Sequence, residues 1–230
     1  MELPHYFYLN EIFKFLGLGN FGHEYQEVTH MWLIMAILIV GALFMVRVVR
    51  LIPTKSQNIL ELIIDGLENF IVGITGPEGR AFVPYLITIF LFILFSNLIG
   101  LVPGFFSPTA NWNTTLALAG CTFFVTHFIG FKFHGLKYFK HFVGPVWAMA
   151  PIMVPIELIG HLARVLSLSV RLMGNIFGKE MVLGMFFLLA GLYLAPLPIL
   201  FLGILVSLIQ ALVFMLLSIV YFQGAMEEAH

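Results

Sequence analysis

From Ala81 to Phe131 the chain runs through 51 residues without one Asp, Glu, Lys or Arg. A run that long has no charged face to offer water, whereas soluble domains carry about 25% charged residues. A helix crossing the ~30 Å hydrocarbon core of a bilayer uses about 20 apolar residues, so the run is long enough for two spans and a turn. Pro103, Gly104 and Pro108 interrupt it near the middle, with Asn111 and Asn113 just beyond. The pattern predicts a helical hairpin, 81–102 and 113–131, joined by a turn at the membrane surface.

The rest of the chain agrees with that reading. Of 230 residues, 60% are hydrophobic and 10% charged, and the mean hydropathy is +1.01. This describes an all-α integral membrane protein of five or six embedded segments, a single membrane domain over 1–230 with no separate soluble part. The net charge of −1 carries no nucleic-acid signal, and the single Cys121 excludes an internal disulfide. Glu2 and the lack of basic residues at the very start argue against a cleaved signal peptide, and the first arginine, Arg47, comes too late for a transit peptide.

Taken in order, residues 1–27 read as an interfacial or aqueous arm, and 28–46 as a span. Arg47, Arg50 and Lys55 follow it, which by the positive-inside rule places that end in the cytoplasm and the N-terminus outside. Residues 56–75 read as an amphipathic surface helix. Leu60, Ile63, Ile64, Leu67, Ile71 and Ile74 form its apolar stripe, and Glu61, Asp65 and Glu68 form an acidic face that meets either a partner protein or this chain's own spans. Lys132, Lys137 and Lys140 after the hairpin return the chain to the cytoplasm. Residues 146–194 would extend ~74 Å as one helix, so a long, strongly tilted helix is expected there. Pro196 and Pro198 end it. A last long helix, 198–222, carries Ser207, Gln210 and Ser218 as its polar points and leaves the C-terminus in the cytoplasm. The tail Glu227, Glu228 and His230 is solvated.

The long helix holds the chemistry. Glu157, Arg164, Arg171, Lys179 and Glu180 place five formal charges in one apolar segment. A charge at bilayer depth costs at least ~2.5–3.5 kcal/mol, so such residues mark ion paths, relays or charge partners. At ~100° per residue, Glu157, His161, Arg164, Arg171 and Asn175 share one stripe, with Ser167 at its edge, while Glu180 falls on nearly the opposite side. A stand-alone transporter would show internal repeats, and none is present. The Glu157-x-x-x-His161 pair suggests a metalloenzyme, but no HExxH motif completes it. A purely structural anchor has no use for so many charges in lipid.

Three separated stretches carry a resemblance: SLSVRLMGNIFGKE (167–180), SNLIGLVPGFFSPTANWNTTLALA (96–119) and LIQALVFMLLSIVYFQGAMEEAH (208–230). In this order they resemble subunit a of the F-type ATP synthases, from about residue 28 to the end. The resemblance implies the membrane stator of a rotary motor, working against a ring of c subunits and held by the b-subunit peripheral stalk. It implies no cofactor and no metal, H+ as the translocated ion with Na+ left open, and nucleotide sites on other subunits. The location implied is the plasma (inner) membrane of a bacterium. Arg171 matches the essential arginine that faces the ring carboxylate. Asn175 and Glu180 match the outer half-channel, Glu157 the inner one, Arg164 a usually basic position, and Gln210 the glutamine that faces the arginine. Gly203 stands where some relatives have a histidine, and Lys179 where many have a small residue or a histidine. The route past Glu180 therefore runs by Lys179, water, His30 or His127.

Overall fold

The computed structural model describes residues 25–49, 55–102, 104–135, 138, 150–190 and 197–226. The expectations for residues 1–24, Arg50, Pro103, Lys137, Lys140, 146–149, 191–196 and 227–230 lie outside them. Helix α1 is Gln26–Val48, α2 is Lys55–Thr75, and a 3-10 stretch Pro77–Phe82 leads into α3, Val83–Ile99. A 3-10 turn, Pro108–Ala110, then leads to α4, Trp112–His134, followed by α5, Ala150–Ala190, and α6, Leu197–Met226. Among the described residues five segments are long and apolar enough to cross a membrane: Glu27–Arg47, Pro77–Ile99, Trp112–His134, Met153–Phe186 and Leu197–Met226.

Local chemistry sets the helix ends. Pro84 sits in the first turn of α3, where its missing N–H is no loss. Asn111 caps α4 by accepting from the Asn113 amide. Gly135, at φ +56°, stops α4 in a conformation that glycine adopts freely. Pro198 falls in the first turn of α6 rather than before it, a position that tolerates proline. The 41 residues of α5 run without a break past Pro155, about 60 Å at the helical rise.

The distribution of side chains is that of a protein in lipid. On α6 the buried face holds Gly203, Ser207, Gln210 and Ser218 beside Phe214 and Phe222, while Phe201, Leu202, Leu205, Ile209 and Leu212 are exposed. On α4 the threonines at 114, 115, 122 and 126 are buried, and Phe124 and Phe128 are largely exposed. Polar groups turn inward because hydrocarbon offers them no hydrogen-bond partner. Helix α3 packs chiefly on α6, and α4 on α5.

Only the second half of α2 uses its apolar stripe against the protein. Ile71 is fully buried, with Leu67, Val72 and Ile74 packed on the same core, but Ile63 and Ile64 in the first half are exposed. Of its three acidic residues, Glu68 is paired with Arg80 at 2.8 Å. The start of α1 is tied to the α3–α4 turn: Asn111 Nδ2 donates to Glu27 Oε1 at 2.8 Å, and the Phe106 amide to His30 Nε2 at 3.4 Å. At the other end Lys132 lies over the Phe82 ring, which joins the end of α4 to the start of α3.

Candidate ion-transfer site

The charged residues of α5 separate into three groups along its axis. Glu157, His161 and Arg164 lie toward the Lys132 end, and Lys179 and Glu180 lie at the level of the α3–α4 turn. Arg171 stands between, about 21 Å from Glu157 and 13 Å from Glu180 at the helical rise.

At the first end, His161 Nε2 is 3.3 Å from Glu157 Oε1, one turn apart on α5. The His127 ring of α4 lies 5.0 Å from the His161 ring, and His127 Nδ1 is 2.8 Å from the Tyr138 hydroxyl. Burial, reinforced by the nearby Glu157 carboxylate, holds the Tyr138 phenol above its ordinary pKa, so it stays protonated at neutral pH. Arg164 places its guanidinium 5.7 Å from the centroid of the Tyr221 ring on α6. Glu157, His161, Arg164, Tyr138 and Tyr221 line a cavity of about 400 Å³ together with Thr126 and Gly224. His127 thus belongs with Glu157, far from Glu180.

At the second end, Glu180 Oε1 accepts from the Ser107 amide at 3.0 Å. The Ser107 hydroxyl is bonded to the Ser96 carbonyl at 2.7 Å and to the Thr109 hydroxyl at 2.9 Å. Thr109 donates to Asn97 Oδ1. Lys179 Nζ donates to the Asn97 carbonyl at 2.8 Å and to Ser207 Oγ at 3.2 Å. A continuous buried polar path therefore joins Glu180 to Lys179 through the turn. His30 lies beside it, on the amide preceding that of Ser107.

Gly203 makes room for Leu101, whose Cδ2 would stand 2.6 Å from a Cβ there, and Lys179 Cδ passes the same point at an ordinary contact distance of 3.5 Å. The ammonium stem thus runs past the residue that stands in the histidine's place. Asn175 Nδ2 donates to Gln210 Oε1 at 2.8 Å, bridging α5 to α6. Both border a second cavity of about 430 Å³ with Lys179, Gly178 and Gly203.

Arg171 is exposed and, among the described residues, has no ion pair or hydrogen bond. Elsewhere on α5 and α6, Val170, Phe177, Ile209 and Leu212 are exposed as well. A Cβ on Gly174 or Gly178 would meet nothing within 4 Å. Ser167 is exposed on the same helix and joins neither polar cluster.

The single helical stripe expected for Glu157, His161, Arg164, Arg171 and Asn175 is thus divided by its neighbours. The first three turn to a cavity, Arg171 to the open face, and Asn175 to α6. Asn97, Ser107, Thr109 and Tyr138 are site residues that the sequence alone does not single out. The Ser-x-Thr pattern at 107–109 and an asparagine within the preceding apolar span are the signal that marks the first three. Among the described residues, no group of three or more His, Cys, Asp or Glu side chains gathers as it would around a metal ion.

A family model described as ATP synthase A chain matches residues 28–223. The chain is 54% identical over 230 residues to the ATP synthase subunit a of Desulfosudis oleivorans, with both chains covered in full. It is 50% identical over 240 residues to that of Syntrophobacter fumaroxidans, again covering both chains in full. It is 50% identical over 205 residues to that of Geobacter sulfurreducens, covering 89% of each. With a family model spanning most of its length and full-length relatives at half identity, the chain belongs to the ATP synthase A chain family.

Proposed function

We propose that the chain is the ion-translocating stator of a rotary ATP synthase, with two offset proton half-channels separated by Arg171. The observation that carries this reading is the placement of Arg171: an exposed cation along an apolar helix, between two polar clusters and, among the described residues, in neither. A charge of that kind in lipid needs a carboxylate, and no partner for it stands among the described residues, so a carboxylate brought by a neighbouring subunit is its natural complement. Gly174 and Gly178 leave that face open to the close approach of another helix. The ring of c subunits would supply the carboxylate, and the b-subunit stalk would hold the chain against rotation.

The mechanism follows from charge and geometry. A ring carboxyl crosses lipid protonated, because the neutral form is far cheaper to bury. On reaching the stator it loses its proton to one half-channel. The remaining carboxylate is stabilised by Arg171, which stays charged where a lysine could lose its proton. The same fixed positive charge opposes direct proton flow from one cavity to the other. A proton from the second half-channel neutralises the ring site and releases it. Glu180, Lys179, Asn175 and Gln210 serve one route, and Glu157, His161, Arg164 and Tyr138 the other.

Sidedness follows from the basic residues. Arg47 ends α1, and Lys132 lies at the end of α4 away from the α3–α4 turn. The positive-inside rule puts that end in the cytoplasm of a bacterium, with the turn and Glu180 outside. The length of α5 is accommodated by strong tilt.

The test is ATP-driven proton pumping by membrane vesicles carrying Glu180→Gln or Glu157→Gln, with assembly of the complex checked on native gels. Each variant is expected to assemble and to lose most of its pumping. Wild-type pumping in both would remove the half-channel assignment.

A further inference from the structure

Gly100 has no conformational reason to be glycine. Its φ of −69° and ψ of −6° are ordinary right-handed values that any residue adopts. The reason is space. A Cβ built on Gly100 would stand 2.5 Å from Glu180 Oε1, 2.7 Å from Ser107 Cβ and 3.2 Å from Ser107 N. It would occupy the place where the carboxylate meets its donor.

The donor cannot easily give way. Ser107 is fully buried and held through its hydroxyl by the Ser96 carbonyl and by Thr109, which is itself bonded to Asn97. Among the described residues the Ser107 amide is the one hydrogen-bond donor to Glu180. Glu180 ends a flexible side chain, so it gives way more readily than Ser107, whose Cβ stands 2.7 Å from the same point and must shift as well.

We propose that Gly100 is a positioning residue for ion transfer: its missing side chain holds open the seat in which the Ser107 amide binds the Glu180 carboxylate. This rests on the reading above, in which Glu180 exchanges protons. Gly100 touches no transported ion. It acts through Glu180, by deciding whether the carboxylate stays on the α3–α4 turn.

The test uses the intact complex with Gly100→Ala, Glu180→Asp, both together, and Glu180→Gln as a control. Two quantities are measured. One is passive proton conductance of vesicles stripped of the soluble catalytic sector. The other is hydrogen–deuterium exchange at the Ser107 amide. With Glu180 in place, Gly100→Ala is expected to lower conductance about tenfold, the scale of one lost hydrogen bond to a charged group. In the Glu180→Asp background the carboxylate is one methylene too short to reach the amide. There, Gly100→Ala is expected to change conductance less than about twofold, because the coupled interaction is already gone. Exchange at Ser107 rises in Gly100→Ala and in Glu180→Asp, and no further in the pair.

Equal losses from Gly100→Ala in both backgrounds, including failure to assemble in both, would show a general packing role and overturn the proposal. Unchanged Ser107 exchange in Gly100→Ala would do the same. If instead Glu180→Gln leaves conductance intact, the proton-exchange role of Glu180 fails first, and the positioning role falls with it. Loss of conductance in Glu180→Gln beside a silent Gly100→Ala overturns the positioning role alone.

Discussion

A single side chain in lipid is judged by who answers its hydrogen-bonding capacity. Asn175 and Gln210 answer each other at 2.8 Å across α5 and α6. Interhelical hydrogen bonds of this kind contribute about 0.6–1.7 kcal/mol in membranes. A double-mutant cycle with Asn175→Leu and Gln210→Leu, read by denaturation in mixed micelles, should return a coupling energy in that range. A coupling near zero would mean that the pair is incidental to stability. The charged residues were legible in the sequence because a charge in an apolar run is conspicuous. Asn97, Ser107, Thr109 and Tyr138 were not, because neutral polar residues are common in such segments and some of their partners lie on distant helices. The contact between Ser107 and Glu180 spans 73 residues. Likewise, His30 and His127 look equivalent in the sequence. Only the packing assigns His30 to the turn beside Glu180 and His127 to the cluster around Glu157.

At the scale of the element, periodicity identified α2 as amphipathic without showing how much of its stripe is used. Ile71 is fully buried, whereas Leu62 is 73% exposed. Ile71→Ala should therefore destabilise the subunit by about 2–5 kcal/mol, the cost of truncating a packed core residue. Leu62→Ala should stay within about 0.5 kcal/mol. Mixed-micelle denaturation of the two variants makes the comparison, and equal effects would contradict the packing described. Helix ends are less legible than helix identities. Asn111 starts α4 at Trp112, and α6 continues to Met226, past the expected limit of 222. The tail of α6 is held by tertiary contact: Phe222 is fully buried and packs on Phe82 and Tyr85. No local sequence signal reports such a contact.

For the whole molecule, two cavities separated along α5, with Arg171 between them, make a sided prediction. Cys121 is exposed and would be replaced by serine first. In that background, Gly224→Cys should react with a membrane-impermeant thiol reagent from the cytoplasmic side, and Leu202→Cys from the outer side. Labelling of both from one side would remove the offset arrangement. The general architecture was legible because length, hydropathy and basic residues constrain any chain in a bilayer. The division of one helical stripe among a cavity, an open face and α6 was not, because it depends on where α4 and α6 come to rest. The most direct test of the account is ATP-driven proton pumping by vesicles carrying Arg171→Ala, with assembly confirmed on native gels. The expected result is an assembled complex in which pumping and ATP synthesis are both abolished. An assembled Arg171→Ala complex that still pumps protons would contradict it.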